Sequence, residues 1–400
     1  MKPLKIPRLA KFDAVSFGLG LLVLLYLGCV NYSVAFTTMD DFEFALKPWS
    51  EIFVEAWNNS RPSQVLFSGI SYLLAFNIPD SAGLTPRFLS MLALFASLIL
   101  LVKKMGFDTR KSIAISGFTL ITHQIDWQHN GLISYFGIYN LLLALFIGSI
   151  HLENTAKSLP HFALTVFMSL LSFASELFFG MSVIYLLIRG LSGQSLQRLR
   201  RSPITLACLI YLAFSILVLL SANGTKAVVM RDYLTGGYRH GIFSMMQAAL
   251  LYLFYSIPFS EDFTRNHDLG MLLGAGVLSI FCLAAGIALR GILSGNRNSE
   301  SRSTLHHGTI MLIMVIMVCA LGVVPEFLMG IQPLKITWIL QGQSHRYVFS
   351  LYTWIALLIA IFWMIGRTGT HQPFQENPRH HGPKGEVDCL SPSDPRIVTS

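Results

Sequence analysis

The chain has 400 residues, of which 53% are apolar and only 12% charged, against roughly a quarter charged in soluble domains. The apolar residues come in blocks of about 17–25, the length a helix needs to cross the hydrocarbon core, rather than in amphipathic periods. That pattern excludes a pair of soluble domains. The net charge of +8 is concentrated in short loops, which makes it a topology signal beside anionic headgroups and not a nucleic-acid surface.

In chain order, the predicted spans are 15–36, 84–102, 112–127, 131–150, 161–175, 177–190, 204–221, 270–290, 308–324 and 348–366. Their backbone polar groups must be satisfied internally, so each is read as a helix. Span 15–36 is longer than a signal-peptide core and lacks a small-residue cleavage site, so it is expected to remain as a membrane helix. Two further apolar stretches, 65–78 and 242–258, are short or interrupted and are read as interfacial or re-entrant. Together these predict an all-α polytopic membrane domain over 15–366, with about 10–11 transmembrane helices and a long first outer loop, 37–83. Residues 1–14 form a cytoplasmic N-terminus. Residues 367–400, rich in Pro, Gly, His and charge, form a disordered cytoplasmic tail.

Orientation follows the basic residues. Lys2, Lys5, Arg8 and Lys11 precede the first span; Lys103, Lys104, Arg110 and Lys111 fill a later turn. Arg189, Arg198, Arg200 and Arg201 form a third group, Arg290, Arg297 and Arg302 a fourth, and Arg367 begins the tail. The positive-inside rule puts all of these, and both termini, in the cytoplasm. The scheme requires 242–258 not to cross, so it is assigned to the outer face. Cys29, Cys208, Cys282 and Cys319 fall in spans and Cys389 in the tail, which implies neither a disulfide framework nor a metal site.

Polar residues collect in the outer loops. Asp40 and Asp41 end the first span, where a carboxylate reaches both a lipid headgroup and water. They could take a proton from an attacking hydroxyl or hold a divalent cation beside a phosphate; they could equally close the span and cap the helix that follows. Arg61 ends Trp57-Asn58-Asn59-Ser60-Arg61 and is either a phosphate ligand or a headgroup anchor. Arg231 and Arg346 carry the same two readings, the anchor or an ion pair being favoured. Trp127 and Tyr135, in Asp126-Trp127-Gln128-His129-Asn130 and the segment after it, fit an aromatic belt or a sugar-stacking platform. His129 between them reads as a solvated loop residue rather than a catalytic one. Glu176 depends on what 161–190 does. Two short spans would leave it at an outer turn near the acidic pair, whereas one long helix would bury it in mid-membrane, where a carboxylate is a functional candidate.

These features, taken in order, resemble bacterial membrane glycosyltransferases of the GT-C superfamily, in particular the serotype-converting glucosyltransferases and their uncharacterised relatives. The shared pattern is an Asp-Asp pair ending the first span, a Trp-to-Arg element closing the first outer loop, and a Trp followed by a Tyr-containing span start. Here these are Asp40-Asp41, Trp57 to Arg61 and Trp127 to Tyr135. The resemblance covers roughly the first 230 residues. Ser60 stands where glycine is usual, and Ala222-Asn223-Gly224-Thr225 replaces a Pro-Gly-Asn element.

The resemblance implies a polyprenyl-phosphate-linked sugar donor and a glycan or lipid acceptor of the cell envelope, with transfer on the outer face of the bacterial cytoplasmic membrane. Asp40 or Asp41 would be the general base, with Asp41 favoured because it lies further from the hydrocarbon. The same pair would hold a metal if one is used. Trp57, Arg61, Trp127, His129, Tyr135, Glu176, Arg231 and Arg346 make up the implied substrate-binding set. Two other functions share these outer-face features: a transporter or flippase of lipid-linked sugars, which would need broken helices near the midplane, and an oligosaccharide polymerase or ligase.

Overall fold

A computed structural model describes residues 14–33, 48–58, most of 63–70, 84–123, 132, 137–153, 158–191, 196–221, 242–257, 267–293 and 349–368. Among them every regular element is a helix, in the order α1 (Ala14–Ser33), α2 (Trp49–Asn58), α3 (Leu84–Lys104), α4 (Thr109–Ile121), α5 (Ile138–Glu153), α6 (Leu159–Ser172), α7 (Glu176–Leu191), α8 (Leu196–Arg200), α9 (Pro203–Ser221), α10 (Ile242–Tyr255), α11 (His267–Leu293) and α12 (Phe349–Thr368). Spans Ala14–Tyr32, Thr85–Lys104 and Asp268–Ile287 are long and apolar enough to cross a bilayer, and six shorter apolar helices accompany them. The predicted span 308–324 lies outside the described residues.

α1 shows how the bundle divides its surfaces. Ser16, Val23, Leu27, Val30 and Asn31 are buried along one stripe, while Phe17, Leu21, Leu22, Leu24 and Leu25 are exposed. An apolar exterior of this kind is costly in water and cost-free in hydrocarbon. The chain is therefore a helical membrane protein. Close packing inside comes from small residues. Gly117 of α4 receives the side chain of Val23, and Gly148 of α5 receives Met168 of α6.

Contacts fix the direction of the central helices. Ser90 of α3 reaches Asn140 of α5 at 3.5 Å, and further along Ser97 donates to the Ala144 carbonyl at 3.4 Å. α3 and α5 thus run parallel, and α4 returns against α1 and α3. α4 starts earlier than the sequence predicts because Asp108 caps it, accepting from the Lys111 backbone N–H at 2.8 Å. It also ends earlier, at Ile121, before the polar run from Thr122. Lys103, Lys104, Arg110, Lys111, Arg189 and Arg201 gather where α3, α5 and α7 end and α4 and α9 begin. This is the basic end of the bundle; the opposite end is called distal.

One arrangement departs from the sequence reading. The stretch 242–258 is expected on the outer face, yet α10 packs antiparallel along α11. Gly270 abuts Leu251 and Phe254, and Gly274 lies against the backbone of Leu250. Residues lacking a Cβ four apart let two helix backbones approach this closely, so α10 is drawn alongside α11 instead of lying flat.

In the region 161–190 the structure has the pair of helices and not one long helix. α6 ends at Ser172, and Phe173, Ala174 and Ser175 form a tight turn of i to i+3 bonds before α7. The rings of Phe173 and Phe179 lie 5.4 and 4.9 Å from Tyr211 of α9, and Phe178 lies 5.4 Å from Phe146 of α5. Tyr211 is nine residues beyond Ser202 at the basic end, about 13 Å at 1.5 Å per residue. The pair α6–α7 rises from the basic end, turns, and returns to it, and Phe178 just past the turn lies 5.7 Å from Tyr352 of α12.

Candidate functional site

Of the residues singled out by sequence, two fall among those described. Trp57 stands near the end of α2, half-buried, stacked on Phe53 at 5.7 Å and edge-on to Phe214 of α9 at 6.4 Å. α2 is amphipathic: Ile52 and Ala56 are buried, Phe53 and Trp57 partly so, and Glu51 and Glu55 are exposed. It reads as an interfacial helix carrying one aromatic against the bundle. The backbone of Glu176 opens α7 at the apex of the α6–α7 turn, beside buried Phe173, Ala174, Ser175 and Phe178. Asp40, Asp41, Arg61, Trp127, His129, Tyr135, Arg231 and Arg346 lie outside the described residues.

What the structure does bring together is the set of helix ends that flank two of those segments. Residues 34–47 leave α1 and residues 124–136 join α4 to α5. α1, α3, α4 and α5 are mutual neighbours through the pairs α1–α3, α1–α4, α3–α4 and α3–α5. The distal ends of α1, α3 and α5 are joined around Arg87, near the start of α3 and only 1% exposed. Its Nε donates to Asn31 Oδ1 at 2.8 Å and its Nη2 to the Asn31 carbonyl at 2.5 Å. Ser90 Oγ donates to the Arg87 carbonyl at 2.7 Å, and Asn140 Nδ2 donates to the Leu132 carbonyl at 2.8 Å. Asn140 is buried and its Oδ1 has no hydrogen-bond partner.

Gly137 completes this junction. Its φ of +73° is left-handed, and a Cβ there would meet Ser90 Oγ and lie 3.3 Å from the Arg87 Cα. Only glycine satisfies both the conformation and the space. α12 covers the same end: Tyr352 OH donates to the Tyr139 carbonyl at 2.7 Å, and Trp354 Nε1 to Thr122 Oγ1 at 3.1 Å.

A second polar centre sits at the basic end, around Glu153 at the close of α5. Its side chain is 3% exposed, paired with Arg189 of α7, whose side chain is 12% exposed. Tyr185 OH donates to Glu153 Oε2 at 2.7 Å, and Ser202 Oγ donates to Oε1. The Arg189 guanidinium lies 5.2 Å from the centroid of the Tyr185 ring. An ion pair this dry persists only when the remaining lone pairs are filled, and Tyr185 and Ser202 fill them. The centre ties the ends of α5 and α7 to the start of α9.

Sequence reasoning missed both centres. Arg87 was visible as a cation inside a predicted span, a position that calls for a buried partner. Glu153 was visible as an acid among basic turns. Neither partner, Asn31 or Arg189, could be matched from sequence, since the first lies 56 positions away. No group of three or more His, Cys, Asp or Glu with metal-binding geometry occurs among the described residues.

No protein-family model, curated protein or solved structure matches the chain. Fold and site together define a polytopic helical membrane protein with a hydrogen-bonded arginine junction at one end and a buried ion pair at the other.

Proposed function

We propose that the protein is a membrane glycosyltransferase of the GT-C type. It would move a sugar from a polyprenyl-phosphate carrier to a cell-envelope glycan or lipid acceptor on the outer face of the bacterial cytoplasmic membrane. The observation that supports this reading is the junction of α1, α3, α4 and α5. The helix ends from which the acidic pair and the Trp127–Tyr135 segment depart are neighbours, at the end of the bundle opposite the basic one. By the positive-inside argument that end faces outward.

In this reading Asp40 or Asp41 removes the proton of the acceptor hydroxyl, whose oxygen forms the new bond to the anomeric carbon. The bond from that carbon to the carrier phosphate breaks, and the phosphate leaves with the electron pair. Negative charge grows on the departing phosphate, so guanidinium groups are the matching donors, with Arg61, Arg231 and Arg346 as candidates. One carboxylate suffices for such an inverting displacement; the other orients it or holds a divalent cation. Trp57, Trp127 and Tyr135 supply faces for sugar rings, while His129 and Glu176 remain polar candidates for substrate hydroxyls.

The test is to replace Asp40 and Asp41 singly with Asn and follow transfer from lipid-linked donors in membranes, with surface glycans read by mass spectrometry. Transfer is expected to fall at least 100-fold in one of the two, consistent with loss of a general base (roughly 10²–10⁴-fold), with insertion unchanged. Full transfer in both variants would remove the proposed base. The alternative function, a flippase of lipid-linked sugars, would need broken helices near the midplane. Movement of the lipid-linked sugar across liposomes without any transfer would decide for it.

A further inference from the structure

The basic end of the bundle holds a cationic niche that the ion pair beside it leaves unfilled. α3 and α5 run parallel and in register: Ser90 abuts Gly137 at the entry to α5, and Ser97 donates to Ala144. Each level is seven residues further along both helices, two turns, so the next one pairs Lys104 with His151. The charge of Lys104 acts on the His151 ring across this level. Both side chains are half-buried.

These two groups lack a matching acceptor. Lys104 forms no ion pair among the described residues. Glu153 acts on it only from a distance, because that carboxylate is already used: Arg189 and Tyr185 fill Oε2 and Ser202 fills Oε1. His151 Nδ1 is buried with no hydrogen-bond partner. A proton placed there would be a donor without an acceptor, so the neutral ring carries its proton on Nε2. A lysine serving as a plain headgroup anchor would extend outward, and Lys103 next to it is exposed. Lys104 is instead kept half-buried on a level rich in donors and poor in acceptors, where the low local dielectric strengthens its pull on an anion.

We infer that Lys104 and His151 form a binding site for a phosphate group at the basic end of the bundle, with Arg189 adding positive potential from α7. By the positive-inside argument this end meets the cytoplasmic leaflet, where the headgroups of anionic phospholipids present phosphate at the depth of the helix ends. A soluble phosphate would use the same donors, and experiment separates the two sources. The site does not rest on the glycosyltransferase reading.

The experiment places the full-length protein in nanodiscs of phosphatidylcholine and adds either phosphatidylglycerol to the bilayer or inorganic phosphate to the buffer. Native mass spectrometry counts retained phosphatidylglycerol, and thermal melting reads the stabilisation that a ligand of the folded state confers. Wild type is expected to retain phosphatidylglycerol and to melt higher with it. Lys104→Met should weaken that binding about tenfold, as for one lost charge-assisted hydrogen bond. His151→Leu should weaken it about fivefold, as for a neutral one. Lys104→Arg should keep most of the affinity. Lys103→Met removes the same charge one residue away and should stay within about twofold of wild type, as an exposed charge would.

Stabilisation by inorganic phosphate in place of the lipid, lost in Lys104→Met and His151→Leu, would support the site and make its ligand soluble. Equal losses in Lys103→Met and Lys104→Met would mean attraction by net charge alone and would overturn the site. Melting of wild type unchanged by both probes would overturn it too. Lys104→Met removes a partly desolvated charge and is expected to fold; if it does not, His151→Leu set against Lys103→Met decides on the same readouts.

Discussion

Asp108 illustrates how a single exposed side chain sets a boundary in this fold. It sits in the turn between α3 and α4 and accepts the Lys111 backbone N–H, with the Lys111 ammonium 3.7 Å away. The backbone hydrogen bond from Lys111, assisted by that positive charge, holds its carboxyl below the ordinary value of 3.8. A group whose pKa is depressed on folding stabilises the folded state above its unfolded pKa, and the stabilisation is lost as pH falls through the folded value. Asp108→Ala is therefore expected to melt lower than wild type at neutral pH. The gap should narrow below the ordinary carboxylate range, as thermal melts at pH 7 and pH 3 would show. Asp108→Asn keeps a capping acceptor and should melt near wild type at both pH values.

At the same scale, the sequence reading begins this span at 112 and passes over Asp108, although a cap lies within one turn of the helix it starts. Arg87 was legible only as an oddity. Its role depends on Asn31, which three-dimensional packing and not chain proximity brings to it.

Among the elements, the α10–α11 pair carries the clearest consequence. Gly270 and Gly274 occupy one face of α11, and Gly274 lies directly on the Leu250 carbonyl. Backbone against backbone leaves no flexible side chain to give way. Gly274→Leu is expected to push α10 away at a cost of roughly 1–3 kcal/mol, the usual range for overpacking. The lowered melting temperature should come with faster hydrogen exchange in α10 but not in α4. Gly276, next on the helix, has open space around it, so Gly276→Ala serves as the silent control.

Element positions were largely readable in advance, because the length of an apolar run is a local property. The predicted spans at 84–102, 204–221 and 270–290 correspond to α3, α9 and α11. How helices lean was not readable. The turn between α6 and α7 consists of Phe173, Ala174 and Ser175, none of them a helix breaker like Gly or Pro. The separate spans 161–175 and 177–190 place the break within a few residues, but packing against Tyr211 and Phe146, which holds the turn, is a property of other helices. That 242–258 stands alongside α11 was not readable for a related reason. Apolar character says that a segment avoids water, while the glycines that orient it lie on a different helix.

For the molecule as a whole, the large apolar side chains that face outward are what separate a membrane protein from a soluble bundle. Phe17, Leu25, Leu187 and Leu217 are each more than half exposed. Leu25 lies near the middle of α1 and Leu212 near the middle of α9, both on outward faces. Placing arginine at either midpoint should disfavour integration by about 2.5–3.5 kcal/mol, visible as a reduced membrane-integrated fraction in an insertion assay. In a water-soluble bundle the same changes would be tolerated. The candidate site is read from the sequence as residue types on one side of the bilayer, and most of them, Asp40 and Asp41 included, lie outside the described residues. Its supports at the distal end, which join α1, α3 and α5, belong to tertiary structure and surfaced only there.

The distance along the chain between Arg87 and Asn31 also bears on biogenesis. As the protein is made, α1 is already in the bilayer when α3 emerges with its cation. A partner that offers two acceptors lowers the penalty of accepting that cation, which an isolated α3 would meet alone. By this argument the first helix would serve the third as a partner during insertion, so loss of the Asn31 amide is expected to lower the integrated fraction of α3 in an insertion assay.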